Sequence, residues 1–195
     1  MPYAGLMARW QANPRERLAR TALELFADRG YDTTTVADIA ARAGLTKSTF
    51  FRHFDDKREV LFGGRDDMVS LIAESVAAAP PGTPPTECVT AVLHALSRYF
   101  PAEQRPFAAT RATVIAAHPE LRERELLKGA QLTAAIKDAL RARDIDDVTA
   151  RFAATMGMLA FELAYERWAA VPATGGTFDD HVSAAVAELT ARCRP

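Results

Sequence analysis

Hydroxyl and basic side chains are concentrated in one short segment, TKSTFFRH, at residues 46–53. Short polar side chains fit against the edges of DNA bases, an arginine can pair with guanine, and lysine, threonine and histidine can bind phosphate oxygens. The first turn of a helix also offers free backbone amides to phosphate. The segment therefore has the composition of a helix that reads the major groove of DNA, and the alternative is an ordinary solvated helix face.

Three phenylalanines, Phe50, Phe51 and Phe54, indicate which face of this helix is buried. At 100° per residue, Phe50 and Phe54 share one face and can pack on a hydrophobic core. Phe51, Ser48 and Arg52 point well away from that face. The polar and basic groups are therefore expected on the surface.

Patterns typical of enzymes are absent from the sequence. Its four histidines have no metal-ligand spacing, and there is no nucleophile elbow, phosphate-binding loop or dinucleotide-binding glycine pattern. Glu162 and Glu166 lie one helical turn apart and could mimic an acid–base or di-metal pair, but no Glu-x-x-His pattern accompanies them. A surface or interface pair near Arg167 is the simpler interpretation. We expect no catalysis, no metal and no cofactor.

Composition favours an ordinary globular protein. The 195 residues are 49% hydrophobic and 25% charged, with a net charge of -1. Cys88 and Cys193 form no motif, no window is apolar enough for a membrane span, and the N-terminus lacks the pattern of a signal peptide. We expect a cytoplasmic protein in a reducing compartment.

The elements that must position the basic segment are helices. Strand-like alternation is nearly absent, and the breaks along the chain predict an all-α fold of about nine helices. The first helix is expected from Pro14 to Arg29, the second behind Thr35 as N-cap, and the third behind Thr46. Two short helices joined by a glycine turn are typical of a helix-turn-helix. A fourth helix is expected from about residue 56 to Ala78, with a weak point or joint at residues 63–64.

The sequence RERLARTALELFADRGYDTTTVADIAARAGLTKSTFFRHFDDKREVLF, residues 15–62, resembles the DNA-binding domain of TetR-type bacterial transcriptional regulators. The resemblance implies a helix-turn-helix domain at residues 1–62, a helical ligand-binding and dimerisation domain at 63–195, and a homodimer on a palindromic operator. It also implies a set of DNA-binding positions. These are Thr35, Thr46, Lys47, Ser48, Thr49, Phe51, Arg52, His53 and Lys57. Phe51 replaces the usual tyrosine, so a phosphate hydrogen bond is lost there, and Ala37 is too short to reach a base.

The segment from Asp147 to Ala170 is apolar on two faces. Such a helix must be buried on both, with one face in the core of its own domain and the other against a partner subunit. We expect residues of this helix and of the last helix to form the dimer interface, as in the four-helix bundle of the family. They are Met158, Tyr165, Trp168, Val182, Val186 and Leu189.

An apolar ligand pocket is expected in the larger domain, with polar groups at its ends. Its candidate residues are Phe100, Phe107, Arg111, Val114, His118, Met156, Leu159 and Phe161. The stretch ATRATVIAAHPELRERELLKGAQL, together with FFRHF and Trp168, resembles a TetR subgroup with an acyl-CoA-like ligand-binding domain, which includes the regulator of mycofactocin genes. This second resemblance implies an acyl-CoA or fatty-acid effector.

Taken together, the residues and resemblances predict a homodimeric repressor that binds operator DNA and is released by a small apolar effector. The alternative is a helical ligand-binding or scaffolding protein without sequence-specific DNA binding, which Phe51, Ala37 and the weak net charge favour.

Overall fold

The computed structural model describes residues 13–63, 65–170 and 175–193, and within these ranges the chain forms helices and no strand. The α-helices are α1 (Pro14–Arg29), α2 (Val36–Arg42), α3 (Lys47–His53), α4 (Glu59–Phe62), α5 (Arg65–Ala78), α6 (Pro85–Leu96), α7 (Arg105–Ala117), α8 (Pro119–Arg141), α9 (Asp147–Ala170) and α10 (Phe178–Arg192). Two short 3-10 helices, Ser97–Tyr99 and Ala102–Gln104, lie between α6 and α7. The all-α prediction is confirmed. Because α4 and α5 together replace one predicted helix, the helix count also agrees.

The helices form two compact units. Unit 1 contains Thr110–Arg122 together with the described residues up to Gly63, and unit 2 contains the other described residues. The break after Gly63 lies beside the predicted domain boundary, whereas nothing in the sequence indicated that residues 110–122 belong with α1–α4. In the described parts of both units, no helix is long and apolar enough to cross a membrane.

Local capping explains where the helices of unit 1 begin. Asn13 Oδ1 accepts a hydrogen bond from Arg15 N at 3.1 Å, ahead of Pro14 in the first turn of α1. Thr35 is the N-cap of α2, as predicted, and it forms a capping box with Asp38. Hydrogen bonds from the Thr35 side chain and backbone hold the pKa of the Asp38 carboxyl below its usual value.

The turn between α2 and α3 depends on Gly44, whose φ of +64° is the left-handed conformation that glycine adopts without strain. Leu45 N donates to Ala40 O at 2.8 Å, which closes the turn. Arg17 of α1 donates to Gly44 O at 3.4 Å. The helix-turn-helix is therefore tied to α1 at its turn as well as through its core.

The core of unit 1 joins α1–α4 to α7 and α8. Its fully or almost fully buried residues include Leu18, Phe26, Ile39, Phe50, Phe54, Leu61, Val114, Ile115 and Leu121. The last three come from the segment 110–122. Since neither α2 nor α3 is longer than seven residues, their stability must come from this packing.

The predicted fourth helix is interrupted. Helix α4 ends at Phe62, Gly63 has an extended backbone with ψ of 162°, and α5 begins at Arg65. A Cβ at Gly63 would lie only 2.8 Å from Arg15 Nη2, so a side chain there would crowd α1. A continuous helix through this point was expected and is wrong. Gly64, the second residue of the predicted joint, lies outside the described residues.

The core of unit 2 is built on α6, which packs against α5, α9 and α10. Val89 of α6 and Gly157 of α9 mark a very close helix approach, because a Cβ at Gly157 would overlap Val89 Cγ1. Thr177 and Asp180 form a capping box at the start of α10. These features fix α9 and α10 on the rest of unit 2.

Candidate nucleic-acid interface

Helix α3 presents two different faces. Phe50 is fully buried and Phe54 nearly so, whereas Lys47, Ser48 and Arg52 are exposed. The division of faces predicted from helical geometry is therefore observed. It places one short and two long polar side chains on the solvent side of a helix whose other side is anchored in the core.

Thr46 organises the hydroxyl groups at the start of α3. Its Oγ1 accepts a hydrogen bond from Thr49 N at 3.1 Å and lies 2.9 Å from both Ser48 Oγ and Thr49 Oγ1. Thr46 is thus the N-cap of α3, as predicted, and it also orients the two neighbouring hydroxyls. The Thr35 hydroxyl is likewise engaged within the chain, since Thr35 Oγ1 donates a hydrogen bond to Asp38 Oδ2 at 2.5 Å.

Phe51 is 48% exposed on the same surface as Lys47. Its ring packs edge-on against Phe50, with ring centroids 5.6 Å apart, and Lys47 Nζ lies 5.8 Å from its centroid. The exposed ring thus offers an apolar surface beside the ammonium group of Lys47. Phe51 is therefore an exposed apolar side chain without the hydroxyl of a tyrosine.

His53 and Lys57 are less accessible than the resemblance implies. His53 Nε2 is buried and makes no hydrogen bond to another described residue. Lys57 Nζ donates to Tyr31 O at 2.6 Å and to Thr34 O at 3.0 Å, and lies 4.0 Å from the centroid of the Tyr31 ring. Burial lowers the pKa of Lys57. In this structure Lys57 fastens the loop that precedes α2.

Tyr31 was not predicted to have a role. It is buried between Lys57, Phe26 and His118, whose ring centroid lies 4.8 Å away, and burial raises the pKa of its phenol to about 12. His118 also lies 3.4 Å from Asp32. Tyr31 directly follows Gly30, where α1 ends, and this position was the sequence feature that could have drawn attention to it. Its contact residues Lys57 and His118 are distant in sequence.

Arg111 and His118 were predicted to supply polar groups to a ligand pocket. Arg111 Nε donates to Leu61 O at 2.7 Å, and its guanidinium lies 5.3 Å from the centroid of Phe62. His118 Nδ1 lies 2.8 Å from Val114 O. The hydrogen bond to this carbonyl raises the pKa of His118, burial opposes it, and Asp32 adds to it. All these contacts lie within unit 1.

Among the other predicted pocket residues, Val114 is buried in the core of unit 1. The rest lie in unit 2, where only part of the set is brought together. The ring centroids of Phe100 and Phe161 are 5.5 Å apart, and both rings belong to an aromatic cluster with Tyr165, Trp168 and Phe178. Leu159 is 40% exposed. A groove of about 430 Å³ opens elsewhere, between α5 and α8. It is lined by Val69, Ala73, Gln131, Ala134, Ala135, Asp138 and Ala139, and Phe107 and Met156 are not among them.

Arg105 was also not anticipated. It is 4% exposed, lies 5.3 Å from the centroid of Trp168 and donates to Gly176 O. The Trp168 indole N–H is buried without a hydrogen-bond partner among the described residues. Within the described residues no group of three or more metal-ligand side chains occurs.

The residues predicted for the dimer interface are largely covered within the single chain. Met158, Trp168 and Val182 are buried in the core of unit 2, and Tyr165, Val186 and Leu189 are partly buried against it. The physical reason is the close approach of α6 at Gly157, which turns this face of α9 inward. The exposed apolar residues of α9 are instead Val148, Phe152 and Leu159.

Part of the chain matches a known family in sequence. Residues 18–63 match the family described as bacterial regulatory proteins, tetR family. The chain is 38% identical over 96 residues to the HTH-type transcriptional regulator TcmR of Streptomyces glaucescens, covering 47% of this chain and 41% of that protein. It is 41% identical over 68 residues to the HTH-type transcriptional repressor KstR2 of Rhodococcus jostii, covering 33% of each. The chain thus spans less than half of the length of these curated relatives.

Solved structures extend the likeness in fold to most of the chain. The TetR-family repressor FadR of Thermus thermophilus, in complex with lauroyl-CoA, superposes with a TM-score of 0.55 at 23% identity, covering 93% of this chain and 95% of that one. A TetR-family regulator from Bordetella parapertussis 12822 gives a TM-score of 0.57 at 23% identity, covering 91% and 94%. The fold of a TetR-family regulator therefore describes both units.

Proposed function

We propose, from the match of residues 18–63 to the tetR family of bacterial regulatory proteins, that this chain is a DNA-binding transcriptional regulator. The observation that carries the proposal is the exposed face of α3, where Lys47, Ser48 and Arg52 surround Phe51 while Phe50 anchors the opposite side. A rigid helix with short and basic side chains on one face fits the major groove.

In this mode of binding, Arg52 pairs with a guanine edge and Lys47 binds a phosphate beside Phe51. The Phe51 ring contacts a sugar or a thymine methyl group in place of the hydrogen bond that a tyrosine would make. Lys57 acts indirectly, by fixing the loop before α2 through Tyr31 and Thr34.

The protein acts as a homodimer on a palindromic operator, so that two copies of α3 enter successive major grooves about 34–36 Å apart. The exposed apolar residues of α9 support this assembly, because apolar side chains in one stripe are stabilised when a second copy covers them. Each subunit contributes the same surface in such an isologous contact.

A small apolar effector, of the acyl-CoA or fatty-acid class, releases this repressor from its operator. The proposal is supported by the fold shared with a repressor that was crystallised with lauroyl-CoA. In thermodynamic terms the effector must bind the two conformations differently, with a coupling free energy of about 1–3 kcal/mol.

Replacing Arg52 by alanine should weaken binding to the operator by about 1–3 kcal/mol, because a bidentate contact to guanine is lost. A gel-shift titration against DNA from the upstream region of the gene measures this loss. The matched control is Arg98→Ala, which removes an exposed arginine of unit 2 and the same charge. Equal affinity of the Arg52 variant and the wild type would remove Arg52 from the reading surface.

The same titration decides between the proposed function and the alternative of a helical ligand-binding or scaffolding protein. That alternative draws support from Phe51 and from the internal engagement of Lys57. A regulator binds saturably and with a steep dependence on salt. Absence of saturable binding at low salt would exclude the regulator.

Lauroyl-CoA at 100 times its dissociation constant should stabilise the protein by about 2.7 kcal/mol. A thermal-shift assay detects this as a rise in Tm. Lauric acid and free CoA are the controls, because each carries one half of the ligand. A Tm unchanged by all three would exclude the acyl effector and would leave the DNA-binding proposal intact.

A further inference from the structure

His118 lies between α7 and α8, and its ring packs against the loop that joins α1 to α2, residues 30–35. The ring meets that of Tyr31 edge-on, with the centroids 4.8 Å apart, and His118 Nε2 lies 3.4 Å from Asp32 Oδ2. The histidine side chain is largely shielded from water, whereas Asp32 is exposed. The contact joins two segments of unit 1 that are far apart in sequence.

Both ring nitrogens of His118 face hydrogen-bond acceptors. Nδ1 lies 2.8 Å from Val114 O, and Nε2 lies 3.4 Å from the Asp32 carboxylate. A neutral imidazole carries a proton on one nitrogen only, so in either tautomer the other nitrogen would direct its lone pair at an oxygen. Only the imidazolium satisfies both contacts, because both of its nitrogens carry protons.

The surroundings of His118 also favour its charged form. The hydrogen bond to Val114 O raises the pKa of His118 most, burial opposes this, and the carboxylates of Asp32 and Glu120 add to the rise. Burial lowers the pKa of Lys57, and the same two carboxylates oppose that shift. The titratable groups around the contact of the His118 and Tyr31 rings lie in three segments, namely Tyr31 and Asp32 before α2, Asp56, Lys57 and Arg58 before α4, and Glu120 in α8.

The loop that His118 contacts leads directly into α2. Lys57 donates to the carbonyls of Tyr31 and Thr34 on one side of this loop. His118 contacts Asp32, which lies between those two residues in sequence. Helix α2 follows the loop and packs on α3 in the core of unit 1. The position of the loop therefore helps to determine where the exposed face of α3 lies.

We propose that His118 is a proton-dependent positioning residue of the DNA-binding unit, whose imidazolium fastens the loop before α2 at Asp32 and thereby strengthens operator binding. The inference rests on the proposed function, because it concerns the unit that carries the DNA-reading helix. When His118 loses its proton, the attraction between Nε2 and the carboxylate is lost, and Lys57 still holds the loop.

The sign of the pH dependence follows from the direction of the pKa shift. Folding raises the pKa of His118 above its ordinary value of about 6.5. The ion pair therefore contributes fully below about pH 6.5, and its contribution is lost as the pH rises through the higher pKa of the folded protein. Operator affinity should fall over the same range.

The test is a double-mutant cycle on the full-length protein, with His118→Gln, Asp32→Asn and both changes together. Fluorescence anisotropy measures affinity for DNA from the upstream region of the gene, at about pH 6 and about pH 9 and constant ionic strength. The coupling between the two sites should be about two- to fivefold in affinity at the low pH, as for a single exposed ion pair, and should vanish at the high pH. Contributions of other histidines cancel, because those residues are present in all four proteins.

The ion pair can also be measured without DNA. In an NMR titration of the histidine rings, Asp32→Asn should lower the pKa of His118, because the carboxylate that favours the imidazolium is gone. The matched control is His94→Gln, which breaks a histidine–aspartate pair of 2.7 Å in unit 2, between His94 and Asp179. This control should leave the pH dependence of operator binding unchanged. Because Asp32 is exposed, Asp32→Asn should keep the wild-type helix content.

The possible failures are distinguishable. A coupling of the same size at both pH values, or no coupling at the low pH, would overturn the proton-dependent role while operator binding itself stands. Absence of operator binding by the wild-type protein at either pH would overturn the proposed function, and the role of His118 in it. A pKa of His118 that is the same in the wild type and in Asp32→Asn would overturn the ion pair.

Discussion

Replacing Phe50 by alanine should destabilise unit 1 by about 3–5 kcal/mol. The Phe50 side chain is fully buried, and its ring lies 5.4 Å from that of Phe54 and 5.6 Å from that of Phe51. Helix α3 has seven residues and is not stable alone. When the buried Phe50 side chain is removed, the helix should therefore unfold. Because whole domains are stable by only about 5–15 kcal/mol, the variant should populate an unfolded DNA-binding unit.

Hydrogen exchange measured by mass spectrometry tests this prediction, because it reports on α2 and α3 separately from unit 2. Peptides that cover residues 36–54 should lose most of their protection in the Phe50 variant. Phe51→Ala is the matched control, since it removes the same side chain from the neighbouring, half-exposed position. We expect it to change stability by no more than about 0.5 kcal/mol and to weaken DNA binding. Equal protection in the two variants would contradict the assignment of opposite faces to Phe50 and Phe51.

The contrast between these two residues shows what the sequence could predict. Helix α3 is defined by local chemistry, namely an N-cap at Thr46, a glycine turn at Gly44 and the 100° spacing of its side chains. Such features are contained in about ten consecutive residues, so the exposed and buried faces follow from the sequence. The same holds for both capping boxes.

Long-range partners were not predictable in this way. Lys57 carries the charge expected of a phosphate-binding residue, but its ammonium donates to carbonyls more than twenty residues away. Arg111 likewise donates to Leu61 O, fifty residues away, and the His118 ring contacts that of Tyr31. Charge and spacing do not encode these partners, since they arise only when distant helices pack.

Helix α9 shows a second limit. Its sequence has two apolar faces, and either could have been the one that packs inside its own unit. The face with Gly157 is buried because glycine lets α6 approach closely, whereas the face with Phe152 and Leu159 is left exposed. The glycine was therefore the informative residue in this helix, and the apolar periodicity alone could not distinguish the faces.

Replacement by alanine should therefore change stability in opposite directions at Gly157 and at Gly129. In an unobstructed helix, Gly→Ala is stabilising by about 1 kcal/mol. At Gly157 the added methyl group would overlap Val89 Cγ1, and Val89 is buried and β-branched, so it cannot turn aside freely. We expect Gly157→Ala to destabilise unit 2 by about 1–3 kcal/mol despite the gain in helix propensity.

Gly129→Ala is the matched control in α8. Its added Cβ would lie 4.0 Å from Glu162 Oε1, an ordinary contact, so this variant should be stabilised by up to about 1 kcal/mol. Urea denaturation followed by circular dichroism measures both changes. In a Val89→Ala background, where the overlapping methyl group is gone, Gly157→Ala should destabilise the protein much less than it does in the wild type. The interaction energy between the two sites should be about 1–3 kcal/mol. Additive effects of the two substitutions would mean that Val89 does not set the distance between α6 and α9, and that another contact turns the Gly157 face inward.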